Sequence, residues 1–215
     1  MLLGGACAAG DWVAIPRHAG RGGEAGGFEM ERGETRVGPF VEYLNREGVV
    51  DFPETAQIRR VAGRGYAARR GTGRQAVAEV TMAEAEAYAQ WVSRETGRTV
   101  RLPTETEWEA AARGGVDGAP FPWGWGGKPA ELARFDAKGP APRGGRFPAN
   151  GFGLYDMAGN LYEWCGTDPR RPAARGGSWA ERDPDLLRVD RRQAFPADYR
   201  GRDVGFRVLR EAESP

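Results

Sequence analysis

The 215-residue sequence predicts a loop-rich α+β domain, and three observations carry that reading. Glycine and proline, at 33 and 15 residues, are too frequent for a helix bundle. Two central segments carry complete helix start and stop signals, while short apolar alternations bounded by turn residues read as strands. The second half is built on three glycine–aromatic motifs: Asn150-Gly-Phe-Gly-Leu-Tyr-Asp-Met-Ala-Gly-Asn-Leu-Tyr-Glu-Trp164, Arg175-Gly-Gly-Ser-Trp179 and Gly205-Phe-Arg-Val208. No helical or strand period runs through the first two. Glycines at such spacing place backbone where a Cβ is forbidden, or close against a ring. Gly159-Asn160 is a turn signal, and Trp164, Trp179 and Phe206 are large enough to fill a core.

Taken in order, residues 1–10 read as unstructured, and Asp11–Pro16 is a short strand closed by proline. Arg17–Gly27 is glycine- and arginine-rich and reads as loop, and Phe28–Arg32 alternates as a second strand. Thr35 is placed to cap a helix whose apolar face is Val37, Phe40, Val41 and Leu44, stopped by Gly48. Pro39 falls in its first turns, where proline is tolerated. Residues 49–76 read as an irregular connection carrying Arg59, Arg60, Arg64, Arg69 and Arg70, either a solvated surface or an anionic-ligand site.

Thr81 and Glu84 form a capping box for the clearest helix, with Ala85, Tyr88, Trp91 and Val92 on one face and Gly97 at its end. Thr99–Leu102 is a short strand. Thr104 and Glu107 form a second capping box, for a helix bearing Trp108, Ala111 and Ala112 before Gly114. Glu105, Glu107 and Glu109 do not converge as successive i, i+2 pairs, so capping and the helix macrodipole explain them better than acid/base work. Residues 115–149 read as loop, anchored by Phe121-Pro-Trp-Gly-Trp125. The domain organisation expected is an N-terminal segment, 1–27, with one short strand, a single domain over 28–210, and a tail at 211–215.

Scarcities narrow the function. His18 is the one histidine, which rules out a multi-histidine iron or zinc centre within one chain and speaks against a histidine triad. Cys7 and Cys165 are the two cysteines, and Cys165 reads as a small buried hydrophobe. The net charge of +1 makes no electrostatic case for nucleic acid or an anionic membrane. No apolar run approaches membrane-spanning length. Met1–Cys7 lacks the charged start and full apolar segment of a lipoprotein leader, so the expected location is cytoplasmic.

The ordered motifs resemble the formylglycine-generating enzyme (sulfatase-modifying factor) family. They run from Val80-Thr81, Ala85, Ala87-Tyr88 and Trp91 through Arg101-Leu-Pro-Thr-Glu-Thr-Glu-Trp-Glu-Ala-Ala-Ala-Arg113-Gly-Gly and Phe121-Pro-Trp-Gly124. Asn150–Asn160, Glu163-Trp164, Arg175–Trp179 and Gly205-Phe-Arg207 follow in the family's order. The resemblance covers roughly residues 28–210. It implies a C-type-lectin-like fold, with N- and C-terminal strands in one sheet. It also implies that an oxidising member would hold copper through two cysteines just after Gly-Gly-Ser-Trp. Here Ala180-Glu-Arg-Asp-Pro-Asp-Leu-Leu187 has no thiol, and Cys165 maps onto neither position. The iron histidines and added domain of the sulfoxide-synthase relatives are missing too. No cofactor is required on this reading.

The end of the chain further resembles the variable proteins of diversity-generating retroelements. The frame reads Gly176-Gly-Ser-Trp179, Pro184-Asp185, Leu187-Arg188, Arg192, Pro196-Ala-Asp198, Arg200 and Gly205-Phe-Arg207. The gaps hold Ala180, Glu181, Arg182, Leu186, Arg191, Gln193, Ala194, Tyr199, Gly201 and Arg202. The resemblance makes these gap positions the ligand-binding candidates, facing a protein or another surface ligand; the other reading is ordinary surface. Glu181 and Gln193 require template codons other than an adenine-mutated AAC. For metal, the family's pattern near Gly-Asn-x-x-Glu implies a structural calcium at Gly159, Asn160, Leu161 and Glu163. Glu163 alternatively satisfies buried backbone amides. The function expected is non-catalytic ligand binding. The alternatives are an enzyme of the same superfamily with non-copper chemistry, using Asp156, Glu163, Asp190 and Arg188, and an accessory subunit.

Overall fold

A computed structural model describes residues 11–16, 18–20, 23–25, 27–139, 144–166 and 170–212. The chain order is β1 (Trp12–Ile15), β2 (His18–Gly20), β3 (Gly23–Ala25), β4 (Phe28–Glu31), α1 (Val37–Arg46), β5 (Ile58–Val61), β6 (Gly65–Ala68) and α2 (Met82–Thr96). It continues with β7 (Val100–Arg101), α3 (Glu105–Ala112), α4 (Pro129–Leu132), β8 (Tyr162–Cys165), β9 (Ala173–Arg175), a 3-10 turn (Pro184–Leu187), β10 (Gln193–Ala194), β11 (Val204–Gly205) and β12 (Leu209–Glu211). Short strands, few helices and long connections make this the mixed α+β architecture the composition predicts.

Two four-stranded sheets organise it. The first has the antiparallel order β1-β4-β12-β7, so strands from the two ends of the chain do share a sheet. The second has the order β10-β9-β8-β11, in which β11 runs parallel to β8. Alternation in β4 buries Phe28 and Met30 beneath the first sheet, as period-2 patterning requires. Both predicted capping boxes form: the hydroxyls of Thr81 and Thr104 accept from the amides of Glu84 and Glu107, whose carboxylates reach back. Gly97 closes α2 in the left-handed conformation at φ 70°. The apolar faces of α1 and α2 meet in an aromatic cluster of Phe40, Tyr43, Tyr88 and Trp91, with Phe206 packed on Tyr88 at 5.4 Å. A second core joins Met30, Trp108, Leu154, Met157 and Cys165. No helix among the described residues is long and apolar enough to cross a membrane.

Several local expectations need correction. Backbone of the predicted 17–27 loop pairs as the β2–β3 hairpin. The 49–76 connection contains the β5–β6 hairpin, where consecutive Arg59 and Arg60 mask the strand alternation while Ile58 and Tyr66 are buried. Thr35 does not cap α1: Arg36 holds that position without a side-chain bond, and the Thr35 hydroxyl donates to Glu31 at 2.8 Å. Trp179 is half-buried against Ala76, Ala78 and Leu161 instead of sitting in a main core. The predicted 115–149 loop holds the single turn α4. The predicted disorder of residues 1–10, and Cys7 with it, lies outside the described residues.

Candidate functional site

A buried polar knot forms where the three glycine–aromatic motifs meet. Glu163, on β8, is 1% exposed and Arg207, between β11 and β12, is fully buried. The guanidinium grips both carboxylate oxygens, Nε at 2.7 Å and Nη2 at 2.6 Å. The Trp108 indole donates to the same carboxylate at 2.6 Å. Arg207 also donates to the carbonyls of Tyr155 at 2.9 Å and Glu31 at 3.2 Å. One ion pair thereby ties α3, β4, β8 and the Asn150–Asn160 segment to the C-terminal strand. Burial favours such a pair only when its remaining donors and acceptors are satisfied, as they largely are here.

Beside it, Glu34 accepts from the Asn160 amide at 2.6 Å and from the Leu161 backbone N–H at 3.2 Å. Asp156 accepts from the Gly145 N–H at 2.6 Å. Asp156 and Asn160 hold left-handed backbone at φ 56° and 61°, which short polar side chains tolerate best. Burial pushes the carboxyls of Glu34 and Asp156 above the usual range, and for Glu34 the neighbouring Asp156 and Glu163 add to it. Burial likewise lifts Glu31 to about 7, against the pull of its Thr35 hydrogen bond.

The Gly-Asn-x-x-Glu residues sit within this arrangement. Glu163 is met by a guanidinium and an indole, and those are not the backbone amides anticipated for it. Asn160 is directed to Glu34, Leu161 is buried, and Gly159 donates its N–H to the Gly176 carbonyl at 2.8 Å. Among the described residues no group of three His, Cys, Asp or Glu is arranged to hold a metal ion. Of the four residues named for alternative chemistry, Asp156 and Glu163 come together, whereas Arg188 and Asp190 pair with each other at 2.7 Å on the exposed side.

The C-terminal frame has a buried part and an exposed part, the latter including Pro184, Asp185, Arg192, Pro196 and Asp198. Gly176, Gly177, Ser178, Leu187, Gly205, Phe206 and Arg207 are buried. Frame arginines are engaged: Arg192 bonds Glu105 at 3.0 Å, and Arg200 bonds Glu84 and the Glu79 carbonyl. In the gaps, Ala180, Arg182, Arg191, Ala194 and Arg202 are exposed, and Glu181, Leu186, Gln193 and Tyr199 are half-buried. Gly201 is the exception. It is buried, and a Cβ there would run into the Tyr199 ring and the Asp203 carboxylate, so it belongs to the frame and not among the binding positions. Tyr199 stacks on Phe195 with centroids 4.4 Å apart, and Gln193 and Ala194 form the edge strand β10. Arg191 borders a depression of about 310 Å³ with Asp185, Arg188 and Asp190.

Cys165 is a free, fully buried thiol on β8, and burial pushes its pKa well above the ordinary value. With no thiol in Ala180–Leu187, the residues present do not fit a two-cysteine copper centre. Glu107 caps α3 and pairs with Arg101, but Glu105 and Glu109, one turn apart, both bind Arg175, at 3.2 and 3.1 Å. These two carboxylates therefore converge, on a cation.

The sulfatase-modifying factor enzyme 1-like domain model matches residues 1–212. The chain belongs to that family. Within it, inactive C-alpha-formylglycine-generating enzyme 2 of Bos taurus is 34% identical over 160 residues, covering 65% of this chain and 51% of the relative. Formylglycine-generating enzyme of Mycobacterium tuberculosis is 43% identical over 106 residues, covering 43% of this chain and 33% of the relative. This chain thus spans about half of the bovine protein and less of the mycobacterial one. Among solved structures, PvdO from Pseudomonas aeruginosa superposes with TM-score 0.68 at 28% identity, covering 93% of this chain and 90% of that one. Treponema denticola variable protein 1 gives TM-score 0.68 at 19% identity, with 92% and 91% covered, a likeness of fold. The family contains both active enzymes and inactive paralogues.

Family membership puts the knot and the frame in one scaffold. Glu31 and Glu34, which belong to none of the sequence motifs, line a cleft beside the knot. Their one signal in the sequence is Glu31 at the end of an alternating strand, followed by a carboxylate three residues on.

Proposed function

We propose that this chain is a non-catalytic recognition module, a ligand-binding protein on a C-type-lectin-like scaffold of the formylglycine-generating-enzyme type. Its binding face is the set of exposed gap residues between the C-terminal frame positions, and its partner is a protein or another surface ligand. Diversification of these positions by a retroelement is part of the proposal. The observation that carries it is the setting of the gap side chains: all but Gly201 reach solvent, on loops anchored by the buried Gly176-Gly-Ser178, Leu187 and Gly205-Phe-Arg207. Side chains on a rigid loop platform change with little effect on stability, which is the condition a variable surface has to meet.

The test is a variant with Arg182, Arg191, Ala194 and Arg202 replaced together. Its melting temperature is expected to stay within about 3 °C of the parent, since surface changes each cost little. A library randomised at these positions and displayed on phage is expected to yield binders to unrelated proteins. A collapse of the fold in the combined variant would sink the proposal. So would formylglycine in a cysteine-containing test peptide incubated with the protein and copper. For the retroelement, the deciding observation is a second copy of the coding segment for residues 175–207, differing at adenines, beside a reverse transcriptase.

A further inference from the structure

A cleft of about 750 Å³ opens beside the end of β4 and the start of α1 and runs to the Gly144–Arg146 segment. None of the gap residues lines it, so its role is independent of the C-terminal surface. Its lining divides by charge. On the inner side are Glu31 and Glu34. Asp156 lies just behind: a Cβ on Gly144 would sit 3.1 Å from its Oδ2 and 3.9 Å from the Glu34 Oε2. A side chain on Gly144 would press on the Asp156 carboxylate, so the glycine keeps this wall of the cleft clear. The nearest buried guanidinium, Arg207, is already committed to both oxygens of Glu163. The inner side has more carboxyl groups than cations.

At the mouth the imbalance is reversed. Arg36, Arg74 and Arg146 all line the cleft and are exposed, and none forms an ion pair or side-chain hydrogen bond with another described residue. Arg32, in the same wall, is by contrast tied to Asp11 at 2.6 Å and to the Gly153 carbonyl at 3.0 Å. One cavity therefore holds carboxyl groups that form no ion pair and guanidiniums that form none, with Arg36 and Arg207 reaching Glu31 only through their longer-range field. A simple anion would leave the crowded inner carboxyl groups without a cation, and a simple cation would meet repulsion from the mouth. A molecule with both charges satisfies both sides: an ammonium donates to the inner carboxyl groups, and a carboxylate accepts from the forked donors of arginine. The volume lies inside the range of about 300–1,000 Å³ typical of small-ligand pockets.

We infer that this cleft binds a small zwitterion of the amino-acid or short-peptide class, its ammonium held at Glu31 and Glu34 and its carboxylate at Arg36, Arg74 and Arg146. The test is thermal-shift and calorimetric titration of the full chain. The probes are free L-amino acids and alanine-containing dipeptides, each beside its N-acetyl and C-amide forms. At least one free zwitterion is expected to raise the melting temperature by roughly 2–4 °C near saturation. Both capped forms are expected to bind at least tenfold more weakly. Arg36→Ala/Arg74→Ala/Arg146→Ala, three exposed changes that leave the unliganded melting temperature in place, should weaken binding at least tenfold. Arg146→Ala alone should weaken it by a smaller factor, and Glu31→Gln should weaken the free zwitterion more than its N-acetyl form. If no probe binds, the inference fails. It fails equally if N-acetyl forms bind as well as free ones, which would mean an anion site, or if C-amides do, which would mean a cation site.

Discussion

Glu163 and Arg207 show how one pair of side chains can hold several segments together. Removing one partner leaves a charge buried without compensation, so Glu163→Ala should cost roughly 3–5 kcal/mol, read from urea unfolding. Glu163→Gln keeps the shape but loses the charge, and should recover part of that loss. Glu31 makes a prediction about pH. Burial lifts its carboxyl from the ordinary 4.5 to about 7, so the folded state holds a proton that the unfolded state has released. The stabilisation this brings is full below pH 4.5 and is lost as pH rises through about 7. Glu34 and Asp156 are shifted in the same direction. The hydrogen bonds from Arg210 to Glu29 and from Arg188 to Asp190 lower those two carboxyls, and act oppositely in acid. The melting temperature should therefore decline between pH 5 and 8, and Glu31→Gln should flatten that decline; an unchanged slope would refute it. Trp164 and Phe206 were legible as core from their size alone. The burial of Arg207 was not, because an arginine reads as surface until its partner, 44 residues away in sequence, is placed beside it.

Elements with local signals were the ones the sequence described best. The capping boxes at Thr81 and Thr104 and the left-handed Gly97 depend on residues within one turn, and all three formed as read. Thr81→Ala should cost about 1 kcal/mol, in line with the loss of a helix cap. Thr35 gave the same kind of signal at α1 but bonds the Glu31 carboxylate. Thr35→Ala should accordingly raise the Glu31 pKa further, measurable by NMR titration of the side chain, while leaving the helicity of α1 unchanged. A drop in helicity would restore the capping role. The hairpins β2–β3 and β5–β6 were missed because arginines and glycines occupy positions where a strand ordinarily shows apolar alternation. The pairing of β5 and β6 comes from its turn, where Gly63 and Gly65 both have positive φ.

Across the whole molecule, the glycine–aromatic motifs announced a scaffold and left its use to the surface. The order of motifs was enough to place the family, since each motif meets the others in one buried junction. Frame residues Pro184, Asp185, Arg192, Pro196 and Asp198 are exposed along with the gaps, so only the glycine–aromatic anchors pack, and the gap positions reach solvent beside them. Gly201 departs from this. Its lack of a side chain admits the Tyr199 ring and Asp203, a contact between near neighbours that spacing does not reveal. The cleft was invisible beforehand because its walls come from segments far apart in the chain, joined only on folding.

The place of β12 between β4 and β7 has a consequence for synthesis. A ribosome makes β4 well before β12, the last of the described strands, so a nascent chain carries the open edge of β4 until β12 emerges. Until β12 arrives, β4 has a partner on one side only, and Arg207 has not yet reached Glu163. Native closure is thus a late event, governed by contacts of long sequence separation, and the half-made protein is the form most in need of a chaperone.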